Sequence, residues 1–92
     1  MEAESAKSNI FDKISNDFGR GWKQLGRSLS VPDSRLDEID ANPGNLSLYE
    51  KTYQTLSAWW NKSTGSTRNK LKELKPTLKR LDRNDLADEI KI

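Results

Sequence analysis

The chain contains no cysteine and no histidine. The first absence excludes a disulfide framework and thiol chemistry, and it suits a reducing compartment. The second removes the usual general base, the imidazole metal ligand and the serine and cysteine triads at once. Apolar residues are scarce at 33%, and no apolar run approaches the roughly 20 residues of a membrane span. Strand signals are lacking too, because Thr and Tyr are scattered and nothing alternates with period two. The opening Met1-Glu2-Ala3-Glu4 has no signal-peptide character. The expectation is a cytoplasmic domain that is not an enzyme, binds no cofactor or metal and inserts into no membrane.

What remains is helical periodicity. Phe11, Ile14 and Phe18 form one inward stripe, and Trp22, Leu25 and Leu29 continue it. Gly19 and Gly21 interrupt that stripe, at roughly 1 kcal/mol per glycine relative to alanine in a single helix. Two short helices meeting at a corner, with Trp22 just past the bend, resolve the conflict. Residues 1–7 are polar and read as a disordered tail, with Ser8 as the first N-cap and the domain running over 8–92.

Ser30-Val31-Pro32-Asp33 ends the second helix, since proline disfavours helix at the residue before it. Asp33 or Ser34 caps a third helix carrying Leu36 and Ile39. Asn42-Pro43-Gly44-Asn45 is a turn, followed by a fourth helix over about 46–61. Its inner face has two readings, Tyr49-Tyr53-Leu56-Trp60 or Leu48-Thr52-Leu56-Trp59. A fifth helix holds Leu71, Leu74, Leu78 and Leu81, with a kink or a late start near Lys75 expected from Pro76. Leu86 and Ile90 mark a sixth, capped by Asn84 or Asp85. Six short helices with short turns form a compact antiparallel bundle.

The net charge of +2 conceals a block pattern. Residues 18–35 carry +3, residues 36–50 carry −4 and residues 51–80 carry +7. Such blocks complement copies of the domain or of its relatives and steer their encounter. The segment from Lys62 to Arg80 holds seven cations against Glu73, the composition of a nucleic-acid or anionic-lipid surface. The leucine stripe accounts for that helix without a ligand, so a solvated or protein-facing surface is favoured over nucleic acid. Asp17-Phe18-Gly19 spells the kinase magnesium tripeptide, but the glycine-rich loop, strand lysine and catalytic loop of a kinase are missing.

Phe11-x-x-Ile14, Gly19-x-x-Trp22-x-x-Leu25-x-x-x-Leu29, Leu36-x-x-Ile39, Leu56-x-x-Trp59, Leu74-x-x-x-Leu78 and Arg83-Asn84-Asp85-Leu86-Ala87 occur in this order. Together they resemble the death domain family over about residues 9–90. The resemblance implies an all-α, six-helix antiparallel bundle with Greek-key connectivity. It implies a core of Phe11, Ile14, Phe18, Trp22, Leu25, Leu29, Leu36, Ile39, Leu56, Trp59, Leu74, Leu78, Leu86 and Ile90, with Trp60 left partly exposed. It also implies a non-catalytic adaptor that binds other death-domain proteins (a receptor tail, an adaptor or a kinase) and associates with itself, in apoptotic or innate-immune signalling. Lys23, Arg27, Val31 and Arg35 would form the basic partner surface. Asp37, Glu38 and Asp40 would form the acidic counterpart.

Overall fold

A computed structural model of the chain describes residues 2–44 and 47–90. Six α-helices and no strand occur among the described residues: α1 Glu2–Asp17, α2 Trp22–Ser28, α3 Asp33–Ala41, α4 Leu48–Lys62, α5 Thr67–Arg80 and α6 Asn84–Asp88. Helix α4 packs on α1, α2 and α3, while α5 packs on α1, α2 and α6.

The glycine corner is present. Gly19–Gly21 forms a 3-10 turn between α1 and α2, and Gly19 takes φ +69°, a left-handed conformation that side-chain-bearing residues rarely adopt. Trp22 opens α2 and is buried, together with Leu25 and Leu29. Phe18, expected in the core, is only half-buried. It sits at the corner itself, with the Arg83 guanidinium 5.4 Å above its ring and Arg83 Nη1 donating to the Asp17 carbonyl at 3.0 Å.

Helix α1 starts at Glu2 rather than at a Ser8 cap, so residues 2–7 are helical instead of a disordered tail. Glu, Ala and Lys are good helix formers, and acidic residues favour a helix N-terminus. Helix α3 is preceded by Pro32 in extended conformation, which leaves Asp33 in the first turn rather than at the cap. Asn42 Oδ1 accepts from the Gly44 amide at 2.9 Å and forms the expected turn. Asn45 of that turn, Leu46 at the expected start of the fourth helix and the domain's last two positions lie outside the described residues. Ser47 caps α4 by accepting from the Glu50 amide.

Both tryptophans of α4 are buried, which corrects the expectation that one face could take only Trp59. The cause is the position of α4, covered by different neighbours on different sides. Trp60 turns toward α1 and meets Phe11 edge-to-face at 5.5 Å, while Trp59 stands perpendicular to it at 5.8 Å. Thr52 and Thr55, on the Trp59 side of α4, are buried and satisfy their hydroxyls on the Leu48 and Lys51 carbonyls, each at 2.8 Å.

Helix α5 is continuous from Thr67 to Arg80 with Pro76 inside it, so it does not start late near Lys75. Ser66 fixes the N-terminus by accepting from the Asn69 amide at 3.2 Å. The buried Leu71, Leu74 and Leu78 anchor both halves, while Pro76 faces solvent. Packing of that leucine face offsets the missing amide bond. Neither Asn84 nor Asp85 caps α6, whose N-cap is Arg83.

At Gly26, α2 packs tightly against α3 and α4. A Cβ there would lie 2.5 Å from Leu36 Cδ2 and 2.9 Å from Thr55 Cγ2, both on buried residues. Overpacking costs about 1–3 kcal/mol, while alanine recovers about 1 kcal/mol of helix propensity. Valine adds bulk without that gain. Chemical denaturation midpoints are therefore expected to fall from wild type to Gly26→Ala to Gly26→Val. A raised midpoint for either variant would mean that α2 separates readily from α3 and α4.

Candidate interaction surface

The charged candidates sit on α2 and α3 because the apolar faces of those helices point into the bundle. Trp22, Leu25, Leu36 and Ile39 are buried, and helical periodicity turns Lys23, Arg27, Arg35, Asp37, Glu38 and Asp40 outward. The two helices join through Leu29–Pro32. Ser30 takes φ +64° and donates its amide to the Arg27 carbonyl at 3.0 Å. The Val31 amide donates to the Gly26 carbonyl at 2.9 Å. This pair of bonds is a Schellman motif, in which an apolar residue in the second position beyond the helix packs back on it. Val31 is accordingly buried. It is a core residue beneath the surface and not a member of it.

The basic and acidic candidates form one face instead of two opposed patches. Lys23 Nζ lies 3.2 Å from Asp40 and 3.8 Å from Asp37. Asp40 is also held by Lys51 of α4 at 2.8 Å. Arg27 Nε donates to Asp33 at 3.0 Å, and Arg35 lies 3.6 Å from Glu38 within α3. The Lys51 hydrogen bond, and after it the Lys23 one, hold the Asp40 carboxyl below its ordinary range. Lys51 and Asp33 thus belong to the face, although no sequence pattern singles them out. Lys51 reaches Asp40 only because α4 packs against α3.

The pairs of Arg27 and Arg35 are well exposed, with side-chain accessibilities of 61% and 70% for Arg27 and Asp33, while Lys51 beside Asp40 is 21% accessible. Exposed ion pairs contribute about 0–1 kcal/mol each, so their members can exchange partners at little cost. No group of three or more acidic side chains that could hold a metal occurs among the described residues. Nor is any described helix long and apolar enough to cross a membrane. The chemistry on offer is reversible pairing of alternating charges around a rigid helical corner.

Comparison with known proteins identifies the scaffold. The death domain family model matches residues 8–91. The chain belongs to the death domain family. Within it, the chain is similar to human receptor-interacting serine/threonine-protein kinase 1, 34% identical over 73 residues, which is 77% of this chain and 11% of that protein. It is also similar to the FAS-associated death domain protein, 36% identical over 52 residues in both the mouse and human forms. Each of those matches spans 55% of this chain and 24% of the relative. The chain therefore corresponds to a small part of each of these proteins, and the death domain is what they share with it.

Proposed function

We propose that this death domain is a non-catalytic adaptor module that binds other death domains and helps to assemble apoptotic or innate-immune signalling complexes. The α2–α3 face supports this reading most directly: Lys23, Arg27 and Arg35 alternate with Asp33, Asp37, Glu38 and Asp40 in exposed, weak pairs. A second domain of complementary pattern can replace internal partners with external ones, and the exchange costs little because the internal pairs contribute little. When the complementary patch lies elsewhere on the partner, the contact is heterologous and copies can add in succession. Its partners would then be receptor tails, adaptors or kinases that carry death domains, together with further copies of itself.

The test mixes the purified domain with a panel of purified death domains and with itself, read by light scattering after size exclusion. The expected result is at least one complex that dissociates as salt is raised, because the pairs are exposed and screened. A domain that stays monomeric and captures no death domain at its highest soluble concentration would overturn the proposal.

A further inference from the structure

The cations of α5 behave differently from those of α2 and α3. Every cation on α2 and α3 has a carboxylate within ion-pair distance. Among the described residues, Arg68, Lys72 and Lys79 have none, and Lys75 Nζ donates to the Ile90 carbonyl at 3.0 Å. At about 100° per residue, Arg68, Lys72, Lys75 and Lys79 fall within an arc of about 60°. They form a straight row about 16 Å long at a rise of 1.5 Å per residue. Glu73 lies roughly a third of a turn around the helix, beside Leu29 and Trp59 in the groove between α2, α4 and α5. It leaves the row uncompensated.

We infer that this row is a second binding surface, and that it takes the phosphate backbone of double-stranded nucleic acid. The α2–α3 face offers a protein partner both signs of charge, whereas this row offers one sign, and the large hydrophobic residue exposed among the described ones, Leu48, lies away from it at the start of α4. The same lack of apolar side chains argues against a membrane, where a few cations add only about 1 kcal/mol each without insertion. Single strands are held by stacking on exposed aromatic rings, and Trp59 and Trp60 are buried. A line of like charges with no base-reading or stacking partner fits a regular line of phosphates. Sequence alone favours a solvated or protein-facing helix. What the structure adds is the linear arrangement, with no carboxylate among the described residues within ion-pair distance of Arg68, Lys72 or Lys79.

Neutralising three or four phosphates gives a log–log salt slope of about −3 and non-specific dissociation constants on the order of 10⁻⁴–10⁻⁶ M. The experiment measures anisotropy of a labelled duplex of about 20 base pairs from about 50 to 200 mM salt. Arms with a labelled oligo-dT single strand and with phosphatidylserine vesicles run in parallel. The variants are Arg68→Gln/Lys72→Gln/Lys79→Gln and, on the other face, Lys23→Gln/Arg27→Gln. Circular dichroism melting confirms that each variant is folded. Duplex affinity is expected to fall at least tenfold, and the slope to approach zero, in the α5 variant alone. The α2 variant should leave both unchanged, which separates this surface from the adaptor face. Absence of duplex binding at the lowest salt would overturn the inference, as would equal loss in both variants. Tighter, α5-dependent binding of oligo-dT or of vesicles would assign the row to that ligand instead and overturn it too.

Discussion

Replacing Trp22 by alanine is expected to lower the unfolding free energy by about 3–5 kcal/mol. The residue opens α2 directly after the 3-10 turn and is 4% exposed. Gly19 commits the chain to the corner just before it, and Leu25, one turn further along α2, is already fully buried, so little is free to fill the space. Domains of this size have total stabilities near the lower part of about 5–15 kcal/mol. The variant should therefore be largely unfolded at temperatures where wild type is folded. Urea denaturation followed by circular dichroism measures this. A midpoint close to wild type would mean that the corner is held by something other than the tryptophan.

The corner was legible because two glycines inside a strong amphipathic stripe conflict with one continuous helix, and few structures resolve that conflict. The two positive-φ residues without a glycine were not. Ser30 and Asp82 take φ +64° and +62° at the ends of α2 and α5, and each is followed by a six-to-one bond, Val31 to Gly26 and Arg83 to Leu78. Serine and aspartate at such a cap carry no signal that distinguishes them from ordinary loop residues. The resemblance places Val31 on the partner surface, whereas the motif turns it inward. The resemblance leaves Trp60 partly exposed, whereas α4 buries both tryptophans. Periodicity reports one face of a helix, and α4 is enclosed on several.

The surface was legible as a set of residues but not as a set of pairs. Helical spacing is enough to turn Lys23, Arg27 and Arg35 outward. Pairing depends on the distance between helices, and that distance is fixed by the close approach at Gly26. With α2 and α3 this near, Lys23 reaches Asp37 and Asp40 across the gap. Blocks of opposite charge in the sequence thereby become one face of alternating charge.

Charge reversal on that face should separate binding from folding. Arg27→Glu places a carboxylate beside Asp33, but both positions are well exposed. Exposed substitutions usually change stability by only about ±0.5 kcal/mol, so the melting temperature should stay nearly constant. Against a partner, a like-charge juxtaposition costs several kcal/mol, and capture or self-assembly should fall by about a hundredfold or more. Adding Lys23→Glu sets another carboxylate near Asp37 and Asp40, where some loss of stability accompanies the loss of binding. A swap resolves the ambiguity. Arg27→Glu with Asp33→Arg restores the internal pair while inverting what a partner sees. If the face makes the contact, the swapped protein should melt like wild type and still fail to bind. If the swap restores capture, Arg27 serves only to pin the junction of α2 and α3. Undiminished capture by the Lys23→Glu/Arg27→Glu variant at both low and moderate salt would exclude the face altogether, because salt screens exposed charges and would reveal any residual electrostatic contribution.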